Sequence, residues 1–313
     1  MSVGSNIKKR RYELRMSQQE LAYKMGYKTR STIAKIESGE NDVSQKKLHK
    51  FAEILDTSVE ALLTGYQAAS PLTLTVGDSV RKKNKNAVII LAGGKTGLNS
   101  RNIPNQFIDI HGKPIIIYSM EAYQSHPLID DIYVVCLKGW EQIVKAYAGR
   151  YGISKFKDII IGGKSGLESL KNGFESIRQQ YSDDDLIIIQ EATRPMVDEE
   201  TITRLLLACT EADSATISHT MDNYVQFDVS GSYPEYLERG SIVAMQSPEA
   251  HRVSVLSEAF EMADKAALPL TDSCCTMLLY KLGLDINFIE GNINNIKIER
   301  DEDILRFSAL YRK

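Results

Sequence analysis

Four short and almost wholly apolar runs limit what this chain can fold into: AVIILAG at 87–93, DIYVVCL at 131–137, KDIIIGG at 157–163 and DLIIIQEA at 185–192. Each has the length of a β-strand, and none shows the alternation of a sheet with one wet face. Between them, Tyr118 to Tyr123, Trp140 to Tyr147 and Leu170 to Ile177 place apolar residues at helical spacing. Strands that are apolar on both sides need cover on both sides, and the intervening helices supply it. The pattern therefore predicts a mainly parallel, doubly wound α/β domain over residues 87–313. Ligands of such sheets bind beyond the carboxyl ends of the strands, so the residues following each run are the candidates.

The first 66 residues have another texture. Ser17 and Glu20 form a capping box, in which the hydroxyl accepts a free backbone N–H and the carboxylate accepts that of the cap, so a helix is predicted from Gln18. Leu21, Ala22 and Met25 give it a buried face, and Gly26 ends it. Thr29 is placed to cap the next helix, in which Ile33 and Ile36 turn inward while Arg30, Ser31, Thr32 and Lys35 stay outside. Gly39 is a natural stop. Leu48, Phe51, Ala52 and Leu55 mark a further apolar stripe, and Thr57 with Glu60 repeats the capping box. Two short helices around a glycine turn, the second with a cationic leading edge, have a shape that enters the major groove of B-DNA.

Length and charge agree with two units. A chain of 313 residues exceeds one ordinary domain. Residues 1–66 hold 12 Lys+Arg against 8 Asp+Glu, residues 67–86 hold 4 against 1, and residues 87–313 hold 22 against 32. A formal charge of -3 thus joins a basic end, suited to a polyanion, to an acidic body. The stretch QAASPLTLTVGDSVRKKNKN, 67–86, keeps no period and reads as a basic linker. Apolar residues at 43% and charged residues at 25% exclude a disordered or fibrous chain. No apolar run nears the roughly 18 residues of a membrane span, so a cytoplasmic protein with no membrane partner is expected. Cys136, Cys209, Cys274 and Cys275 lack metal-ligand spacing and read as free thiols, and the histidines are scattered.

From Met16 to Leu63, MSQQELAYKMGYKTRSTIAKIESGENDVSQKKLHKFAEILDTSVEALL resembles the helix-turn-helix domain of phage-repressor and Xre-type regulators. The likeness rests on the Ser-Gln-x-Glu-Leu-Ala opening, the Ile-x-x-x-Glu-x-Gly close of the recognition helix and the Leu-x-x-x-Ala-x-x-Leu of the fourth helix. It implies an all-α domain that binds double-stranded DNA, with Gln18 on a phosphate and Lys28, Arg30, Ser31, Thr32 and Lys35 facing the groove. Such domains bind operators in pairs.

In the second half, the first run leads into the glycine-containing loop LAGGKTGLNSRNIPNQF, whose N–H groups suit phosphates. The fourth leads into QEATRP, which brings a carboxylate and a guanidinium onto one turn. GNINNIKIERDEDI is read as an amide-rich turn followed by a strand bearing Lys297. The ordered anchors are Ala92-Gly93-Gly94, Pro104-x-Gln106-Phe, His111-Gly-Lys-Pro-Ile, Gly162-Gly163 with Glu168-Ser169, Ala192-x-Arg194-Pro195, Thr220, Glu238-Arg239, Gln246-Ser247-Pro248, Thr271-Asp272 and Asn295-Ile-Lys297-Ile. They resemble the cytidylyltransferases that act on methylerythritol 4-phosphate or ribitol 5-phosphate, across residues 87–313.

The resemblance implies a Rossmann-like nucleotidyltransferase fold of the GT-A type, with a β-arm near Tyr224 to Tyr236 through which a homodimer forms. It implies a Mg²⁺-dependent attack of a polyol or sugar phosphate on the α-phosphorus of CTP or a related nucleotide. Lys95, Lys297 and Arg194 are then expected to be catalytic. Ala92, Gly93, Gly94, Gln106, Gly163, Ser169 and Ala192 are expected to hold the nucleotide, and Thr220, Arg239, Ser247, Thr271 and Asp272 the acceptor. Glu191 and Asn294 are expected to hold the metal.

This chain departs from the family where charge is needed. Leu98, Asn105 and Gly166 stand where the family carries cations, Asp222 replaces an acceptor-site Lys, and Glu191 and Asn294 replace aspartates. Lys95, Arg101 and Lys164 are neighbouring cations able to compensate. Two readings follow: a cytidylyltransferase fused to a DNA-binding regulatory domain, or a transcription regulator whose degraded nucleotidyltransferase domain senses a nucleotide or CDP-polyol.

Overall fold

The computed structural model describes residues 3–14, 16–27, 29–41, 43–55, 57, 59–64, 84–94, 103–221 and 225–311. The chain divides into two compact units, Met1–Lys82 and Lys83–Lys313. Lys28, the first-loop residues Lys95, Leu98 and Arg101, Asp222 and most of the linker lie outside the described residues.

The first unit is all-α: α1 (Val3–Glu13), α2 (Gln18–Met25), α3 (Ser31–Glu37), α4 (Gln45–Ile54) and α5 (Val59–Thr64). The capping box forms as expected, with the Glu20 N–H donating to Ser17 Oγ at 3.2 Å and the Ser17 N–H to Glu20 Oε2 at 2.7 Å. Gly26 ends α2 at φ 83°, a left-handed conformation that costs any residue with a Cβ. Thr29 is not the cap of α3. That position is Arg30, in helical conformation and without a side-chain bond, so α3 enters directly from the turn. Ile7, Leu21, Ile33, Phe51 and Leu55 are completely buried together. Beneath them Arg11 is paired in two-pronged fashion with Glu37, at 2.6 Å and 2.9 Å, which pins α1 to α3.

The second unit contains β1 (Asn86–Ala92), β2 (Asp109–Ile110), β3 (Lys113–Pro114), α6 (Ile115–Ser125), β4 (Asp131–Cys136), α7 (Glu141–Arg150), β5 (Phe156–Ile161), α8 (Gly166–Ile177), β6 (Leu186–Glu191), α9 (Glu199–Glu211) and β7 (Ser214–Thr220). It continues with β8 (Gln226–Asp228), β9 (Glu235–Leu237), β10 (Val243–Arg252), α10 (Val253–Lys265), α11 (Cys275–Leu282), β11 (Asn287–Glu290) and α12 (Asp301–Leu310). The four apolar runs are β1, β4, β5 and β6, all mutually parallel. The central sheet has the order β11-β7-β10-β6-β1-β4-β5, with β10 antiparallel to both its neighbours. Alternate side chains of β1 serve opposite faces: Val88 and Ile90 pack with α6, α7 and α9, Ala87 and Ile89 with α8, α10 and α11. The arm is a hairpin, β8 against β9.

One expected strand is absent. The residues carrying Lys297 form no ladder; the last strand of the sheet, β11, precedes the asparagine turn, and the segment after it is tied to the domain by the Ile298 N–H donating to Thr193 O at 2.9 Å. No helix among the described residues is long and apolar enough to cross a membrane. The four cysteines are free.

Candidate active site

The turns that follow β1, β5 and β6 open on one cavity of about 350 Å³. Gly93 and Gly94 line it after β1, Gly163 and Lys164 after β5, and Glu191 and Thr193 after β6; Gln106, Ser165, Gly166, Ser169, Ser273, Lys297 and Glu299 complete most of the wall. This is where a doubly wound sheet places its ligands.

Several expected binding residues prove to shape the wall through backbone contacts. Gln106 is 2% exposed, and its Nε2 donates to Ala92 O at 2.7 Å and Gly94 O at 3.0 Å, so its amide holds the mouth of the glycine loop. Ser169 Oγ accepts the Gly163 N–H at 2.9 Å and donates to Ser165 O at 2.7 Å, which folds the Gly162-Gly163 turn back on α8. Ala92 and Ala192 are buried behind the surface rather than on it.

The start of α8 is clasped by the chain at 270–273. Ser165 Oγ caps the helix by accepting the Glu168 N–H at 3.0 Å and itself donates to Leu270 O, while the Leu167 N–H donates to Asp272 O at 3.0 Å. Gly166 lies under this clasp, and a Cβ there would sit 2.6 Å from Ser273 O. The position of the missing cation is therefore closed by backbone, not merely vacated by sequence. Gly166→Arg is expected to destabilise the domain by about 1–3 kcal/mol through overpacking, read as a lowered Tm; an unchanged Tm would show that Ser273 yields freely.

Glu191, Lys297 and Glu299 of the wall form a charge cluster with Arg194 beside it. Glu191 Oε2 accepts from Arg194 Nε at 2.5 Å, and Glu191 Oε1 is 2.8 Å from Lys297 Nζ, which is also 3.0 Å from Glu299 Oε1. Burial pushes the Glu191 carboxyl up, but the charges and hydrogen bonds of Arg194 and Lys297 outweigh it and hold the group below the usual carboxylate range. Burial likewise pushes Lys297 down, and Glu191 followed by Glu299 brings it back above its ordinary value. Both groups are charged at neutral pH. Arg194 is anchored by its Nη1 donating to Asn295 O at 2.9 Å, and the Glu191 N–H by donating to Ser247 Oγ at 3.1 Å.

Mg²⁺ takes one or two protein carboxylates and completes its shell with phosphate oxygens and water. Glu191 fits that role by place and charge. Asn294 is exposed, is not part of the cavity wall, and uses its N–H on Asn292 Oδ1 at 2.9 Å. No group of three His, Cys, Asp or Glu side chains able to hold a metal occurs among the described residues.

The five expected acceptor residues are not on this wall. Ser247 is buried and braces Glu191 from behind. Thr220 Oγ1 donates to Glu290 Oε2 at 3.0 Å, Asp272 accepts from Lys281 Nζ at 2.7 Å, and Arg239 is exposed beyond the hairpin. Thr271 lines a neighbouring hollow that shares Lys164 and Ser165 with the main cavity. Sequence reasoning missed Ser165, Thr193, Ser273 and Glu299. The Ser165-x-x-Glu168 pattern was a readable helix start, and Glu299 stands two residues beyond Lys297 on extended chain; Ser273 carries no signal.

Behind the site, Glu249 of β10 is buried at the start of α11, accepting the N–H groups of Cys275 at 3.0 Å and Thr276 at 2.9 Å and the Thr276 hydroxyl. Burial raises its carboxyl, but His251 and these donors overcome that and leave it below the usual range. A depressed carboxyl stabilises the fold fully above its unfolded pKa and loses that contribution as pH falls through the folded value. Glu249→Gln is accordingly expected to lower Tm at pH 7 and to flatten the acid decline of Tm; an acid limb as steep as in the parent would contradict this.

In the helical unit, Arg30, Ser31 and Lys35 are exposed along α3 and Thr32 is half-buried. Gln18, expected on a phosphate, donates its Nε2 to Glu37 Oε2 at 2.8 Å.

Comparison with known proteins places both halves. The 2-C-methyl-D-erythritol 4-phosphate cytidylyltransferase family model matches residues 52–313, and a helix-turn-helix model matches residues 7–62. A ribitol-5-phosphate cytidylyltransferase of Lacticaseibacillus paracasei is 30% identical over 72% of this chain and 97% of its own length. One of Streptococcus agalactiae is 31% identical over 72% and 95%. The crystal structure of a 4-diphosphocytidyl-2C-methyl-D-erythritol synthase from Anaerococcus prevotii covers 73% of this chain and 97% of its own, with a TM-score of 0.62 at 21% identity, which concerns the fold. With these lengths matched, the chain belongs to the 2-C-methyl-D-erythritol 4-phosphate cytidylyltransferase family and carries a helix-turn-helix domain ahead of it.

Proposed function

We propose that the α/β domain transfers a cytidylyl group from CTP to a polyol phosphate of the ribitol 5-phosphate kind, and that the helical domain binds double-stranded DNA so that the enzyme regulates genes of its own pathway. The observation that carries the catalytic half is the pairing of Glu191 with Lys297 on the wall of a cavity that Gly93 and Gly94 also line, with Arg194 holding Glu191. The relatives named for ribitol 5-phosphate support the choice of acceptor over methylerythritol 4-phosphate.

In this reading the acceptor's phosphate oxygen attacks the α-phosphorus of CTP, the bond to the bridging oxygen of the β-phosphate breaks, and pyrophosphate leaves. The chain's part is positioning and charge. Gly93, Gly94 and Gly163 bring backbone N–H groups close to the nucleotide. Lys297 shifts from Glu191 to the α-phosphate, and Arg194 keeps Glu191 oriented. Bound Mg²⁺, held by Glu191, would neutralise the triphosphate. Lys95 and Lys164 stand in for the cations absent at Leu98, Asn105 and Gly166. Thr271, in the hollow that shares Lys164 and Ser165 with the cavity, receives the acceptor together with Thr220, Arg239 and Asp272, and a homodimer built through the β8–β9 arm in the cytoplasm completes the assembly. Arg30, Ser31, Thr32 and Lys35 face the major groove.

A second reading is favoured by the neutral wall at Asn105 and Gly166 and by the internal balance of the charge cluster: a regulator that binds a nucleotide or CDP-polyol without turnover and alters DNA affinity by reciprocal coupling. Calorimetry of the full chain with CTP, UTP, ATP and GTP in Mg²⁺ tests the nucleotide site shared by both. CTP binding preferred over the others is expected, and no binding of any nucleotide would contradict it. DNA affinity measured against salt should fall steeply in a log-log plot; a flat dependence would contradict the DNA-binding half.

A further inference from the structure

Lys297 serves two carboxylates. Its ammonium is 2.8 Å from Glu191 and 3.0 Å from Glu299, and both acids line the cavity proposed for the triphosphate. Glu191 is mostly enclosed and also paired with Arg194, whereas the Glu299 side chain is 61% exposed and has Lys297 as its ion-pair partner among the described residues. The backbone holds Glu299 in place: the N–H groups of Glu299 and Arg300 both donate to Asp303 Oδ2, at 3.0 Å and 2.9 Å, where α12 begins, and Ile298 is fastened to Thr193. Lys297, Ile298 and Glu299 all border the cavity, and the Ile298 side chain is buried in the core cluster beneath it.

A carboxylate on the wall of a polyanion site opposes its ligand twice, by direct repulsion and by competing for the cation the ligand needs. We propose that Glu299 is a positioning residue that restrains Lys297, keeping the ammonium paired while the cavity is empty and making nucleotide displace it. This rests on the nucleotide reading above. Glu299→Gln is isosteric and removes only the charge, so it frees Lys297 to one carboxylate and tightens CTP binding. The expected gain is roughly two- to fivefold in Kd at low salt, the size of an exposed pair, and it shrinks as salt screens it.

The test is calorimetric titration of the full chain with CTP and Mg²⁺ in four proteins: parent, Glu299→Gln, Lys297→Met and the double variant. Tighter binding by Glu299→Gln, with the gain at least halved in the Lys297→Met background, is the expected result. A gain of equal size in both backgrounds would show that Glu299 acts by its field alone, and equal or weaker binding by Glu299→Gln would remove any restraint; either overturns the inference while leaving the nucleotide site intact. Absence of CTP binding in the parent overturns the nucleotide reading together with it.

Discussion

Lys297→Ala is expected to lower kcat/KM for cytidylyl transfer by on the order of 100- to 1,000-fold, the usual effect of removing one group that meets charge developing in the transition state. The expectation comes from placement. Lys297 is the cation of the charge cluster whose ammonium is reached from open space, being 33% exposed, while Arg194 at 14% is committed to Glu191 and to Asn295 O. Removal leaves Glu191 one partner rather than two, so Tm should move little and the loss should fall on the chemistry. Lys297→Arg should recover only part, because a planar fork does not replace a compact ammonium shared by two carboxylates. Pyrophosphate release under saturating CTP measures it; a loss smaller than tenfold with Tm preserved would remove Lys297 from the reaction.

Glu37→Ala is expected to unfold the helical domain. Arg11 is 4% exposed and Glu37 7%, and the two are joined by paired hydrogen bonds with Gln18 as a third member. Deleting the acid takes the carboxylate from a buried guanidinium that keeps its bond to Met16 O, a change that costs about 3–5 kcal/mol, comparable to the whole stability of a domain of this size. The helical domain's own calorimetric transition and its DNA binding should both disappear, while CTP binding by the α/β domain persists. A variant that keeps its helical transition and its DNA affinity would show that the pair is dispensable.

What the sequence made legible was whatever repeats or closes locally. The runs that became β1, β4 and β6 are apolar on both faces because helices cover both, β5 being the half-exposed edge, and the Ser17–Glu20 box forms from residues three apart. β7 and β10 were hidden for the opposite reason. SATISHT and VAMQSPEAHR carry polar residues inward, where Thr216 bonds to Thr276, Ser214 to His251, and Glu249 accepts the N–H groups at the start of α11 across large sequence separations. The pairing of Arg11 with Glu37 was invisible because each residue alone looks like solvated helix surface. Gly166 read as a lost charge; that it is also closed by Ser273, 107 positions away, is a property of the clasp and of no local pattern. Gln106 and Ser247 were placed at the site by motif, yet their hydrogen bonds go to backbone, since a glycine loop and a turn bearing a buried carboxylate both need outside support.

The proposed activity joins the phosphate of a polyol to the cytidylyl group of CTP in this cavity. Incubation of the full chain with CTP, Mg²⁺ and ribitol 5-phosphate, followed by ³¹P NMR, tests it directly. Equal growth of pyrophosphate and of a new diphosphate ester, dependent on the acceptor and abolished in Lys297→Ala, is predicted. Folded protein that binds CTP but yields neither signal with ribitol 5-phosphate, methylerythritol 4-phosphate or glycerol phosphate would contradict it.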